Sequence, residues 1–281
     1  MTDRVLAASV PVRPAATVML VRDGRSGLEV FMLQRVSSAA FARNAYVFPG
    51  GRVDDTDHGP EFEPICDEDD RNASQRLGLE TGGLAWLVGT IRESFEEAGV
   101  LLARRADANH PIPLDRPDVQ QRFLAARTGV HDGTLALGEL CTAEQLRLLT
   151  DRIHFVDHWV TPIGESRRFD TRFFLTRAPE GQEPLHDDTE TVASTWVRPE
   201  EAVAKAKSRE WRLLPPTVAA LRNLAEHADA ESAIGWASGL PVPAPMLPRL
   251  VVTDDNRFAG ILRPDQEGYA DAPIPEWVIQ Q

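Results

Sequence analysis

Cysteine is nearly missing from this chain: Cys66 and Cys141 are the only two in 281 residues. Two thiols cannot build a disulfide framework, so a reducing compartment is expected, with both side chains as packing. Long apolar runs are missing too. No stretch approaches 18 apolar residues, so no membrane span is expected. The first twenty residues, "MTDRVLAASVPVRPAATVML", carry an acid and no continuous apolar core before Pro11, which makes a poor signal peptide. Basic charge is short, with 30 Lys+Arg against 43 Asp+Glu and a net charge of −13. A nucleic-acid polymer needs a basic footprint, so it is excluded as the main partner. A small phosphorylated substrate is not, because a bound metal and a few arginines supply positive charge locally. No internal repeat is visible.

Hydrophobic residues make up 42% of the chain, ample for a core. Residues 1–14 read as a loose tail. "ATVMLVR" and "LEVFMLQR" flank the Gly-containing turn "DGRSG" and read as a β-hairpin. "AYVFPGG" reads as a short strand ending in a loop. Residues 54–82, acidic, aperiodic and bearing Pro and Gly, read as a surface loop insert. They lack the spacing of a calcium loop. Residues 104–150 read as a helical insert, with "DVQQRFLAAR" and "TAEQLRLLTD" as its helices, placed as a lid or oligomer contact. "IHFVDHWVTP", "RRFDTRFFLTRA" and "TVASTWVRP" read as strands, and "PEEAVAKAKS" and "PPTVAALRNLAEHA" as helices. Residues 15–234 are expected to form one domain, and residues 235–281 an extension with a terminal hairpin. His154 and His158 fall in a strand, where their separation of about 13 Å rules out a shared ion; packing is expected.

The stretch "GTIRESFEEAGVLL" is the most informative. At about 100° per residue, Leu84, Leu87, Val88, Ile91, Phe95 and Ala98 share one face of a helix. Glu93, Glu96 and Glu97 share the opposite face, and Gly99 is placed to end it. The three acids repel one another at helical spacing, by about 0.2–0.5 kcal/mol per pair. Glu96 and Glu97 also sit at the negative end of the macrodipole. A purely structural helix gains from Lys there. Two readings fit: a solvated acidic face, or a carboxylate cluster that holds a hard divalent cation.

"GGRVDDTD" together with "RESFEEAGV" resembles the Nudix box, the pattern of Gly, five residues, Glu, seven residues, then Arg-Glu-apolar-x-Glu-Glu-x-Gly-apolar. The first acid of the box falls on Asp57, a shorter side chain, and Ser94 stands where an apolar residue is expected. Arg92 comes about 27 residues later than an uninterrupted box would put it. A box split in this way resembles the peroxisomal-type coenzyme A diphosphatases, and "VFPGGRVDD", "HWVTPIGESRRFDTRFFL" and "EWRLLPPT" resemble that subgroup further. Only "LQR" and "FPGG" match the compact bacterial coenzyme A group, and Asn44 stands where its glycine is expected.

The resemblance implies an α/β fold, the Nudix α/β/α sandwich with a mixed sheet. It implies hydrolysis of a nucleoside diphosphate linked to another group, most specifically coenzyme A or acyl-coenzyme A, giving 3′,5′-ADP and (acyl-)phosphopantetheine. An ADP-ribose or NADH pyrophosphatase and a non-catalytic nucleotide sensor are the alternatives. Such sensors usually lose box acids, and this chain keeps the helix set. Glu93, Glu96 and Glu97 are the implied ligands for Mg²⁺ or Mn²⁺, and one of them serves as base. Arg92 is implied to orient a catalytic glutamate, and Glu190 to add a further acid. Arg35, Gly50, Gly51, Arg168 and Asp170 are the expected substrate contacts. Arg168 is placed to meet the 3′-phosphate with Asp170 holding its guanidinium. The closing "WVIQQ" lacks a Ser-Lys-Leu peroxisomal address, so a cytoplasmic protein is expected, with no membrane partner and with a homodimer admitted.

Overall fold

The computed structural model describes residues 10–37, 42–163, 165, 167–187, 190–253 and 258–269. Residues 1–9 of the expected tail and 270–281 of the expected extension, "WVIQQ" included, lie outside the described residues. The chain divides into two compact units. One comprises Ala16–Val156 and Phe173–Val242; the other takes Met1–Ala15, Asp157–Arg172 and Pro243–Gln281.

The larger unit is built on a hairpin. Strand β1 (Val12–Gly24) buries the run Val18–Val21, turns through Arg25-Ser26, and returns as β2 (Gly27–Arg35), with Gly24 opposite Gly27. Gly27, at φ +119°, takes the turn conformation that a side chain would resist. Next come β3 (Tyr46–Val47) and β4 (Gly50–Arg52), then helices α1 (Asp70–Leu77) and α2 (Gly83–Ala98). Strand β5 (Ala103–Arg105), helices α3 (Pro117–His131) and α4 (Leu137–Ala143) and strand β6 (Leu146–Leu148) follow. Strands β7 (His154–Val160), β8 (Arg168–Arg177) and β9 (Thr191–Val197) precede helices α5 (Pro199–Lys207), α6 (Pro215–Leu224) and α7 (Ala230–Ser238). The mixed sheet runs β3-β2-β1-β8-β7, with β4 on β1 and β9 on β2. This is the expected α/β class.

All six apolar residues of the α2 stripe are buried, in one core with Val18, Leu20, Phe31 and Leu33. Gly99, at φ +68°, ends the helix by donating to Phe95 O, and Val100 N donates to Ser94 O.

Three expectations need correction. Residues 54–82 are not a surface loop. Within them lie 3₁₀ turns at Asp55–His58 and Glu63–Ile65 and the helix α1, whose Ala73, Ser74 and Leu77 are buried. The helix is closed by Asp69, which accepts from Asn72 N, and by Gly78 in the left-handed conformation. "TAEQLRLLTD" is not a helix. α4 stops at Ala143, Gln145 takes φ +53°, and Leu146–Leu148 pairs with β5, burying Leu146 and Leu148 and sending Arg147 to Asp67. Residue 234 is not a boundary, because it falls within α7, which buries Ala233 and Ala237.

In the smaller unit, β10 (Arg249–Val252) and β11 (Phe258–Leu262) form the expected hairpin. Met246 bridges to Trp159: its N–H donates to His158 O, and its carbonyl accepts from Val160 N.

Candidate active site

Helix α2 presents the acids, and α1 fixes its start. An α-helix leaves its first N–H groups without internal partners. Here Asp70 accepts from Gly82 N and Leu84 N, both at 2.9 Å, and Ser74 Oγ accepts from Gly83 N at 2.9 Å. The other end is held from α3, where Arg127 Nε donates to Glu96 O at 2.9 Å. A buried cation there offsets the macrodipole that the three acids oppose. Sequence reading missed Arg127, and only the basic character of an amphipathic α3 could have pointed to it.

The acidic face is not solvated. Glu93 is 8% exposed and Glu97 5%. Glu97 Oε2 accepts from Gly50 N at 2.9 Å. A Cβ on Gly51 would lie 2.5 Å from Glu93 Oε1, and one on Gly50 would lie 2.3 Å from Ala16 O. Gly50 lets this segment lie against the β1 backbone, and Gly51 leaves room for the Glu93 carboxylate. Arg92 collects the remaining acids. Its Nε and Nη2 grip Asp57 at 2.9 and 3.0 Å, and its Nη1 meets Glu93 at 2.9 Å and Glu96 at 3.2 Å. Nη2 also donates to Arg52 O at 2.7 Å.

Asp57, only 3% exposed, is the bidentate anchor of Arg92. Gly89 makes room for it, since a Cβ there would lie 2.9 Å from Asp57 Oδ2. On the far side of the glycine loop, Arg35 Nη2 donates to Glu190 at 3.1 Å, and Val36 N donates to Glu190 O. Among the described residues, the buried Nε of Arg35 has no hydrogen-bond partner.

The electrostatics follow from this crowding. Burial raises the Glu97 pKa well above the ordinary carboxylate value, and Glu93 and Glu190 raise it further, against Gly50 N–H and Arg35. Burial also raises Glu93, with Arg92 opposing. Burial alone would lower the Arg92 pKa, but the bonds and charges of Asp57, Glu93 and Glu96 outweigh it and raise the value.

Three carboxylates on one helix face, with a backbone loop pressed against two of them, are the oxygen donors that a hard cation takes. The donor set fits Mg²⁺ or Mn²⁺. Among the described residues no group of three or more Asp, Glu, His or Cys side chains already converges on one point. Arg92 draws Glu93 and Glu96 to one side, and Gly50 holds Glu97.

Of the expected site residues, Gly50, Gly51, Arg92, Glu93, Glu96 and Glu97 are joined by these contacts, and the Arg35–Glu190 pair acts on Glu97 through its charges. The expected pairing of Arg168 with Asp170 is corrected. Both lie in the smaller unit, where Asp170 is taken by His158 and Arg168 Nε donates to Thr161 O at 3.1 Å. Arg168 is itself buried, which costs a guanidinium hydration that one carbonyl repays only in part. A cleft of about 740 Å³ lies elsewhere. It is lined by residues such as Leu102, His110, Asp151, His154 and Glu180 and by none of the helix acids. The convergent buried charges locate the chemistry better than cleft size does.

A family profile described as the NUDT19 Nudix domain matches residues 68–224, more than half of the chain. The acyl-coenzyme A diphosphatase NUDT19 of Gallus gallus is 30% identical over 257 residues, covering 75% of this chain and 64% of the relative. The protein of the same name from Homo sapiens is 30% identical over 233 residues, covering 72% and 62%. The chain thus spans a little under two thirds of the length of these relatives. A crystal structure of a NUDIX hydrolase from Alicyclobacillus acidocaldarius superposes with a TM-score of 0.65 at 27% identity, covering 81% of this chain and 97% of that one.

Proposed function

Because this chain belongs to the Nudix family, in its NUDT19 branch, we propose that it hydrolyses the diphosphate bond of coenzyme A or its acyl thioesters. The products are 3′,5′-ADP and (acyl-)phosphopantetheine. The observation that carries this reading is the intact set of three helix glutamates, two of them buried and all three tied to Arg92 or Gly50. A chain that had abandoned catalysis would have no reason to keep carboxylates that repel one another in a poorly solvated place.

Glu93, Glu96 and Glu97 would hold Mg²⁺ or Mn²⁺. A cation held there would offset the charge of the phosphate oxygens and supply a more acidic water. Around it the protein's own groups have separate tasks. Arg92, anchored on Asp57, fixes the rotamers of Glu93 and Glu96. Gly50 N–H orients Glu97. Arg35, with a buried Nε–H still to be satisfied, is a donor for a diphosphate oxygen. The proton of the attacking water would go to Glu97, which Gly50 N–H orients, or to Glu190, whose charge acts on Glu97. No described helix is long and apolar enough to cross a membrane, and both cysteines are unpaired and buried. These features support a cytoplasmic setting.

The test is a panel of coenzyme A, acyl-coenzyme A, ADP-ribose and NADH with Mg²⁺ or Mn²⁺, products resolved by mass. Release of 3′,5′-ADP from the coenzyme A compounds, at higher kcat/KM than any turnover of the other two, supports the proposal. Preference for ADP-ribose or NADH moves the substrate to the pyrophosphatase reading. Tight nucleotide binding without turnover identifies a sensor.

A further inference from the structure

Helices α5 and α6 and the turn between them border a shallow, open cleft of about 450 Å³. Lys207, Arg209, Arg212 and Arg222 line it together with Trp211, and no acidic residue does. Four exposed cations around one depression are conspicuous in a chain of net charge −13, because such a cluster makes a local positive field that attracts an anion. The nearby Lys205 is paired with Glu210, and Arg212 Nη1 donates to Arg43 O at 3.1 Å. Lys207, Arg209 and Arg222 form no ion pair with a described carboxylate.

Position in a helix does not explain this set. Lys207 in the last turn of α5 complements the macrodipole, as helix-terminal lysines often do. Arg222 comes from a different helix, and Arg209 follows the end of α5 at φ +63°. Glycine is the residue that takes this conformation without strain. An arginine held there at a conformational cost points to a task for its side chain.

The cleft is tied to the acidic site. Tyr46 N donates to Arg212 O at 2.9 Å, and the Tyr46 ring stacks on Trp211 with centroids 3.8 Å apart and planes 10° from parallel. Four residues on, Gly50 holds Glu97. That tether spans at most about 14 Å, and long arginine side chains shorten the gap from one end. In coenzyme A the 3′-phosphate hangs from the same ribose that bears the diphosphate, so a group that selects it has to sit near the cleaved bond and yet apart from the metal ligands.

We propose that the α5–α6 cleft is a subsite for a phosphate monoester, the 3′-phosphate of the substrate, with Arg209 and Arg222 as its principal contacts. This assignment rests on the coenzyme A reading above. It also moves 3′-phosphate selection away from the buried Arg168.

The test uses the full chain with Mg²⁺ and compares kcat/KM for coenzyme A and dephospho-coenzyme A in wild type, Arg209→Gly and Arg222→Ala. Arg209→Gly removes the charge while relieving the backbone, so a loss cannot be put down to misfolding. Each variant should lose about tenfold or more on coenzyme A, the effect of one charged hydrogen bond, and less than about twofold on dephospho-coenzyme A. Equal changes on the two substrates, or none, overturn the proposal. Calorimetric titration in EDTA with adenosine 3′,5′-bisphosphate and with AMP separates this result from the fate of the enzymatic reading. Suppose wild type cleaves neither coenzyme A compound but binds the bisphosphate more tightly than AMP, and Arg209→Gly erases that gap. Then the diphosphatase reading falls and the phosphate subsite stands. If wild type binds the two nucleotides equally, the subsite falls whatever the turnover.

Discussion

At the residue scale, the three glutamates and the aspartate that anchors Arg92 differ in what they contribute. Glu97 is buried against Glu93, and its charge is a burden to the fold. Glu97→Gln keeps the oxygen that accepts from Gly50 N and removes the repulsion. Its melting temperature should be unchanged or higher, while kcat with Mg²⁺ falls by at least about 10²-fold if Glu97 is a metal donor as proposed. Thermal denaturation alongside steady-state kinetics checks both halves; a variant that kept normal turnover would remove Glu97 from the metal set. Asp57→Ala should do the reverse to stability. Arg92 would be left buried with two acids at its other edge, at a cost of about 1–3 kcal/mol in urea denaturation. The helix acids were legible in the sequence because their spacing is local and helical. The grip of Asp57 on Arg92 was not, because the two are 35 positions apart and the intervening chain gave no periodic signal.

At the scale of elements, the outcome turned on α1. "DRNASQRL" has no strong apolar stripe and buries mainly small side chains, so hydrophobic periodicity passed it over. Its boundaries were nonetheless written in Asp69 and Gly78, an N-cap and a left-handed stop. "TAEQLRLLTD" failed in the opposite way: Leu146 and Leu148 fit a helix or a strand, and the β5 partner decided. The sheet strands and α2 were readable because their periods are unambiguous. Excising residues 58–80 should therefore unfold the protein, since it removes the groups that satisfy the start of α2. A milder probe is Gly83→Ala. The new Cβ would sit 2.4 Å from Ser74 N, so α1 and α2 have to part, and stability should fall by about 1–3 kcal/mol. Gly235→Ala, within α7 and with open space around it, should instead raise stability by about 0.4–1 kcal/mol. Paired urea titrations read both.

At the scale of the whole molecule, the pH response has a traceable contributor outside the acidic site. His154 begins β7, and its pKa lies below that of an ordinary imidazole, chiefly through burial, with Arg76 lowering it further and Asp151 opposing. The unfolded chain then binds a proton more readily than the folded one. The stability from the neutral imidazole is fully present above about pH 6.5 and is lost as pH falls through the lower, folded-state value. His154→Gln should flatten this part of the profile. Unfolding free energies at about pH 7.5 and about pH 5.5 should differ less in the variant than in wild type, and identical slopes would mean that the imidazole contributes nothing.

The capping of α2 by α1 also bears on how the chain acquires its shape. Asp70 and Ser74 reach N–H groups only nine to fourteen positions downstream. The loop to be closed is short, and contacts of low sequence separation form early. The helix–turn–helix of residues 70–98 is thus suited to be a nucleus that assembles before β8 and β9 arrive. In that order of events the glutamates of α2 are set side by side while water still surrounds them. Their mutual repulsion is then met at the stage when solvent screens it best, and the later strands close over a charge pattern already in place.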